Sequence, residues 1–176
     1  MFGLANPDRF LRFTRPLTPV VWGLAVVLLA VASWLSFAVP EDFRQGDTVR
    51  IMFVHVPAAS VGLAAYAALG VSSFFALVFR HPLADAAARA AAVLGLVGLI
   101  NLPIVKFSVD WWNTLHQPAS LLRAGGPSMP AEYLTPLLTM MAAWGLFFAA
   151  VWLTAIRTEI VRRRVLSIRA RRALEA

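Results

Sequence analysis

The sequence contains no cysteine and little charge, and each shortage excludes a class of protein. Without cysteine the chain has no disulfide framework, no thiolate metal site and no CxxC redox pair. Only 14% of the 176 residues are charged and 60% are hydrophobic, whereas a soluble domain is about a quarter charged and about half apolar. This composition excludes a disordered chain and indicates a single membrane domain over residues 1–176.

Four long apolar stretches account for most of this hydrophobicity. A helix needs about 20 apolar residues to cross a bilayer core of about 30 Å. Residues 17–39, 54–79, 86–105 and 134–156 meet this requirement. Because lipid offers no partner to backbone polar groups, the expected fold is an all-α polytopic membrane protein with four transmembrane helices. A cleaved signal peptide is the alternative for the first stretch, which is longer than the apolar core of about 7–15 residues in such peptides.

Arginines gather before the first stretch and in the tail at 157–176. Since Lys and Arg favour the cytoplasmic side, both termini are predicted to lie inside the cell, and the loops at 40–53 and 106–133 outside. In the tail, arginines alternate with apolar residues. That pattern favours an interfacial helix on anionic lipid over a segment that binds nucleic acid.

The three histidines divide between the two sides of this topology. His55 lies at the outer end of the second stretch and His116 lies in an outer loop, whereas His81 lies inside. Histidine is the commonest metal ligand, and two histidines can hold a haem iron from opposite faces. On pattern alone, His55 is also typical of a polar residue that ends a helix at the membrane interface.

Aromatic and basic residues accompany the two outer histidines. Trp111 and Trp112 precede His116 and fit either an interfacial aromatic belt or a wall for a flat apolar ligand. Arg50 and Lys106 suit the carboxylates of such a ligand, or else they flank the helices as solvated charges. The sequence carries no Gly-rich phosphate loop, HExxH motif or nucleophile elbow, so no enzyme is predicted.

Two segments around the outer histidines resemble one protein family. Residues 49–59, VRIMFVHVPAA, resemble the first histidine motif of the haem exporter protein C family (CcmC) of bacterial cytochrome c maturation. Residues 101–118, NLPIVKFSVDWWNTLHQP, resemble its second motif. The resemblance implies that His55 and His116 are axial ligands of an exposed haem b in a protein of the bacterial inner membrane. It also implies presentation of haem to the haem chaperone CcmE, together with CcmD and the ABC-type complex of CcmA and CcmB.

The chain is shorter than the family pattern. The family typically has six spans and a tryptophan-rich outer loop, the WWD domain, between its second and fifth spans. We expect that hairpin to be missing at the run 86–92. Trp111 and Trp112 then stand alone on the outer side as aromatic candidates. Two other functions stay open from the sequence: a membrane anchor that transfers electrons through a b haem, and a scaffold that binds no haem.

Overall fold

The computed structural model describes residues 6–92, 125–127 and 129–175. Within these ranges the chain is helical and forms no strand. The helices are α1 (Pro7–Ala38), a short 3₁₀ helix (Asp47–Ile51), α2 (Met52–Phe79), α3 (described over 82–92) and α4 (Ala131–Glu175).

Three helical segments of the described residues are long and apolar enough to cross a membrane. They are Pro7–Ala38, Asp47–Phe79 and Ala131–Glu175, and they include the first, second and fourth predicted stretches. The all-α multi-pass fold is therefore confirmed. The third predicted stretch, 86–105, begins inside α3, and its part from residue 93 lies outside the described residues.

α1 begins ten residues before the predicted apolar stretch because local signals start it earlier. The side chain of Asn6 accepts a hydrogen bond from the backbone N–H of Asp8 at 2.8 Å, and Pro7 follows the cap directly. Both features are typical of a helix start, and the carboxylate of Asp8 suits the positive end of the helix dipole. Hydropathy alone does not register these signals.

α1 and α4 form an antiparallel pair. At the start of α1, Thr14 contacts Arg157, and further along, Trp22 donates a hydrogen bond to Thr154 at 3.0 Å. Near the other end of α1, Ala32 packs with Ala143, and both alanines are fully buried. Small side chains at this seam let the two backbones approach closely, which is how helices pack where lipid supplies no hydrophobic drive.

The basic tail does not form a separate interfacial helix. α4 continues from Ala131 to Glu175 without interruption, so the arginines of the tail extend the last membrane-spanning helix. The expectation of a helix lying flat on the lipid is corrected at this point. A helix that lies in the membrane plane needs a bend where the apolar stretch ends, and residues 157–175 contain neither proline nor glycine to produce one.

Among the described residues, α2 packs most closely at its first turns, although Ala65 and Ser72 are also buried. Its first turns join α4, but further along the exposed fractions reach 71% at Leu63 and 80% at Leu77. The helix ends where Arg80 adopts the left-handed conformation, with φ 47° and ψ 38°. α3 starts two residues later, and its alanines Ala86 and Ala90 pack against α4.

Candidate functional site

Five buried residues join the helices at the end of the molecule that the charge pattern places outside. We call them the outer cluster: Val39, Val49, Phe53, Tyr133 and Leu137. They come from the end of α1, the 3₁₀ helix, the first turn of α2 and the start of α4. The cluster fixes the part of α2 that carries the first histidine motif.

A tight turn leads from α1 into the 3₁₀ helix. The carboxylate of Asp42 accepts hydrogen bonds from the backbone N–H groups of Arg44 and Gln45, both at 2.9 Å. Asp42 and Gly46 also pair through their backbones, and Gly46 has a φ of 56°. Asp and Gly are suited to these two roles, since Asp bonds the backbone ahead of it and Gly accepts a positive φ without strain.

Arg50 makes contacts within the fold that the sequence did not predict. One terminal nitrogen forms an ion pair with Asp47, and the other donates to the carbonyl oxygen of Val39 at 3.2 Å. Arg50 therefore ties the end of α1 to the 3₁₀ helix. Its Nε is buried and has no partner in the described part of the chain, and a third of the side chain is exposed. The guanidinium, with five N–H donors, still has capacity for another acceptor.

His55 lies in the first turn of α2 and is half-buried. Phe53, which lies two residues before His55, and Pro57, which lies two residues after it, are fully buried and hold this turn in place. Pro57 lies beyond the first turn, because the helix already begins at Met52. A proline there cannot donate to the carbonyl four residues earlier, so the carbonyl of Phe53 loses its helical partner beside His55.

His81 has a structural role at the opposite end of the molecule. Its Nδ1 accepts a hydrogen bond from the backbone N–H of Ala84 at 3.3 Å, and its carbonyl accepts one from Asp85 at 3.0 Å. These bonds cap the first turn of α3. His55 and His81 stand at the two ends of α2, which agrees with the sequence-based separation of the two histidines.

The other predicted site residues lie between residues 93 and 124, outside the described part of the chain. They are His116, Trp111, Trp112 and Lys106. Of the predicted haem-binding residues, the structure thus places His55 and Arg50. They are five positions apart in sequence; Arg50 directly follows Val49 of the outer cluster, and His55 lies two residues after Phe53.

A set of ion pairs at the inner end was not predicted from the sequence. We call it the inner network: Asp8, Asp85, Glu159, Arg163 and Arg164. Arg163 donates to Asp85 at 2.5 Å and to Glu159 at 2.8 Å, and Arg164 pairs with Asp8. The network joins the starts of α1 and α3 to α4, a juxtaposition that only the tertiary fold creates.

Glu159 is the centre of the inner network. Arg162 donates two hydrogen bonds to its carboxylate, at 2.8 and 2.9 Å, and Arg163 donates a third. The bonds from Arg162 and then from Arg163 lower the pKa of Glu159 from 4.5 to about 2, although partial burial acts in the opposite direction. Hydrogen bonds to the charged form are the usual cause of such a shift.

Long apolar helices, an alanine seam and charge confined to the helix ends define an all-α multi-pass membrane protein. The family model for heme exporter protein C matches residues 1–92 and 85–171. The chain is 38% identical to heme exporter protein C of Bradyrhizobium diazoefficiens, with 98% of this chain and 90% of that protein covered. It is 31% identical to heme exporter protein C of Paracoccus denitrificans, with coverages of 95% and 96%. The chain belongs to the heme exporter protein C family.

A third relative comes from a plant. It is a putative cytochrome c biosynthesis ccmC-like mitochondrial protein of Marchantia polymorpha, 29% identical over 78% of this chain and 85% of that protein.

The comparisons also show a difference in length. The alignment with the Bradyrhizobium protein spans 236 positions, of which this chain fills about 172, so about 64 positions lack a counterpart here. The two segments matched by the family model overlap at residues 85–92. This overlap coincides with the run 86–92, where the sequence predicted a missing hairpin.

Proposed function

We propose that this protein handles haem for the maturation of c-type cytochromes and acts as a binding and presenting protein, not as an enzyme. Haem is its cargo, held at the outer face by His55 and His116 as axial ligands. The position of His55, half-buried in the first turn of the helix that the outer cluster holds through Phe53, is the observation that carries the proposal. The names of the relatives from Bradyrhizobium and Paracoccus support the same function.

The surroundings of His55 fit a large, flat, mostly apolar ligand with two carboxylates. Ile51, one turn before His55, and Val54, directly before it, are 50% and 56% exposed and supply apolar contact beside the histidine. Arg50 supplies a guanidinium that is one-third exposed and suited to a carboxylate. In this proposal Trp111 and Trp112 cover a face of the porphyrin. The site lies where helices end, which suits a ligand that must leave again, since helix ends and loops open more easily than packed helix interiors.

The proposed recipient of the haem is the membrane-anchored chaperone CcmE, with CcmD and the CcmA/CcmB complex as further partners. This places the protein in the bacterial inner membrane with both termini in the cytoplasm. We further propose that His116, as the loop ligand, is the one that dissociates during transfer. Slower haem release from the His116→Ala variant than from the His55→Ala variant would contradict that assignment.

The test is an absorption spectrum of the full chain purified in mild detergent after expression with haem available. We expect a low-spin spectrum typical of two histidine ligands in the wild type, and its loss in the His55→Ala and His116→Ala variants. His81→Ala is the matched control, because it removes a histidine from the other end of α2. Equal loss in all three variants, or an unchanged spectrum in His55→Ala, would overturn the proposal.

A scaffold that binds no haem is the second candidate, and the difference in length favours it. About 64 positions of the Bradyrhizobium relative have no counterpart in this chain, and we expect them to include the tryptophan-rich loop. A haem-free wild type that still copurifies with CcmD would support this candidate. A haem-loaded wild type that fails to pass haem to CcmE would instead assign the missing segment to transfer.

A further inference from the structure

α4 extends well beyond its apolar stretch. Helices rise about 1.5 Å per residue, so the 45 residues of α4 span about 68 Å, whereas a bilayer core is about 30 Å thick. The apolar stretch ends at Ile156. The helical residues 157–175 project about 28 Å past that point.

The first turns of this extension are held by the rest of the protein. Arg157 donates to the carbonyl of Leu11 at 2.9 Å, and the inner network holds Arg163 and Arg164. These arginines are used within the fold. They are not available to a partner without breaking contacts between α1, α3 and α4.

The last turns, residues 165–175, differ in having no tertiary partner among the described residues. No ion pair or hydrogen bond in the described ranges joins Arg169, Arg171 or Arg172 to another helix. Val165 is 41% exposed and Ile168 is 51% exposed, values far above those of the packed core. We call residues 165–175 the distal extension.

Three of the exposed apolar residues past Ile156 share one face, whereas the exposed Leu166 and Leu174 lie on the opposite side of the helix. Val161, Val165 and Ile168 follow the i, i+4, i+7 spacing of a helical stripe, and each is between 41% and 51% exposed. Arg164 and Arg169 lie to the two sides of this stripe, and Arg172 continues it. A stripe of this kind with flanking charge is the pattern by which one helix recognises another.

The distance between the distal extension and the bilayer core argues against lipid as the binding partner of this face. Arg169 lies 13 residues past Ile156, about 20 Å along the helix axis, and a tilt of about 40° shortens this depth to about 15 Å. The headgroup layer is about 5–8 Å thick on each side of the core. Electrostatic attraction is screened over about 8 Å at physiological salt. The arginines of the distal extension therefore lie at or beyond the reach of anionic headgroups.

Charge disfavours a second copy of the same chain. The distal extension carries three arginines and a single carboxylate, at Glu175, so two parallel copies bring like charges together. Nucleic acid would use the arginines but leave the apolar stripe without a partner. A helix with a complementary apolar stripe and flanking acidic residues satisfies both features.

We propose that the distal extension of α4 is a docking surface for an acidic amphipathic helix of a protein on the side of the membrane where both termini lie. The interaction does not depend on haem binding. Glutamates on the partner pair with Arg169, Arg171 and Arg172, and its apolar residues cover Val165 and Ile168. The tertiary contacts of residues 157–164 keep the helix projecting from the membrane so that the surface stays accessible.

The test uses the full chain in nanodiscs of zwitterionic phosphatidylcholine. The probe is a fluorescent synthetic helical peptide with a leucine stripe flanked by glutamates, and binding is followed by anisotropy. Two further peptides serve as probe controls: one with glutamine for each glutamate, and one with the same composition but a broken stripe. We expect binding of the first peptide only.

Two sets of variants then separate specific docking from general attraction. The triple variant Arg169→Glu, Arg171→Glu, Arg172→Glu should bind the peptide at least about tenfold more weakly, because three ion pairs become repulsive. The triple variant Arg9→Glu, Arg12→Glu, Arg15→Glu changes the charge equally on the same side and should stay within about twofold. The double variant Val165→Asn, Ile168→Asn keeps every arginine and should weaken binding about fivefold or more.

Several outcomes would overturn the proposal. Equal weakening in both triple variants, or equal binding of the peptide with the broken stripe, would mean attraction by net charge alone. Absence of binding to the wild type would also reject it. Shielding of a fluorophore at position 168 by nanodiscs rich in phosphatidylglycerol would assign the surface to lipid. Circular dichroism of each variant shows whether its helix content matches the wild type, so that a lost interaction is not mistaken for a lost fold.

Discussion

The two ends of the helix bundle share apolar packing but differ in the ion pairs that join their helices. At the outer end, apolar side chains pack in one cluster, and two hydrogen bonds reach the carbonyls of the two residues that follow α1, from Arg50 to Val39 and from Tyr133 to Pro40. At the inner end, carboxylates and guanidiniums join three helices through ion pairs. The inner end also packs Ala86 and Ala90 against α4, so among the described residues it combines charge with packing. At the end that carries the proposed site, the one described ion pair, Arg50–Asp47, lies within the 3₁₀ helix and joins no two helices.

This difference suits the proposed function. An ion-pair network with several hydrogen bonds fixes the relative positions of α1, α3 and α4. Apolar contacts are less directional, so the outer end has more freedom to adjust around a ligand that arrives and leaves. Removing one contact at a time from each end tests whether the two ends differ in this way.

The largest effect is expected at the outer end, from Phe53→Ala. Phe53 is fully buried in the outer cluster, so its truncation leaves a cavity where α2 meets α4. We expect a loss of about 3 kcal/mol in the free energy of unfolding, measured by denaturant titration in mixed micelles. Phe74→Ala is the control, because Phe74 lies on the same helix but is 57% exposed. Equal losses in both variants would show that the outer cluster does not hold α2.

An intermediate effect is expected at the inner end, from Glu159→Gln. The variant loses the charge that accepts hydrogen bonds from Arg162 and Arg163, so we expect about 1–2 kcal/mol of destabilisation. Glu175→Gln, at the exposed end of the same helix, should change the free energy of unfolding by less than about 0.5 kcal/mol. A Glu159→Gln variant as stable as wild type would contradict a stabilising inner network.

The same carboxylate gives the inner end a pH dependence. The pKa of Glu159 is about 2 in the folded protein, against an ordinary value of 4.5. A lowered pKa stabilises the folded state fully above about pH 4.5, and this stabilisation is lost as the pH falls towards 2. The stability difference between wild type and Glu159→Gln should therefore be constant from pH 7 to about 5 and shrink at lower pH. A difference that stays constant down to pH 3 would exclude this origin.

The smallest effect is expected from Tyr133→Phe at the outer end. This variant keeps the ring in the outer cluster and removes only the hydrogen bond from the hydroxyl to the carbonyl of Pro40, at 3.3 Å. We expect a loss of about 0.5–1 kcal/mol in the free energy of unfolding. A loss above about 2 kcal/mol would mean that hydrogen bonding, and not packing, dominates the outer end.

Hydropathy predicted the described membrane-spanning helices well because lipid allows few alternatives to a helix. It placed the ends of the helices less well. α1 starts at Pro7 because of a cap at Asn6, and α4 continues to Glu175 because nothing in the tail interrupts it. The cap residue Asn6 and the lack of a helix breaker after Ile156 can both be read from the sequence, but a hydropathy pattern takes account of neither.

At the candidate site, the sequence predicted a local position but not the contacts between distant segments. The position of His55 at the start of a helix followed from the sequence, since it depends only on local order. The partners of Arg50 did not, because they include Val39, which lies across a turn at the end of another helix. The inner network has the same origin, with Asp85 and Arg163 separated by 78 positions in the chain. Contacts of this kind require the three-dimensional arrangement of the helices.

The anchored start of α3 has a consequence for how this family can vary. His81 caps that helix just before the residues where the two segments matched by the family model overlap, and Asp85, the first residue of the overlap, ties it to α4. We infer that a change in chain length after these contacts leaves α1 and α4 in place, because the described contacts between α3 and α4 all precede residue 93.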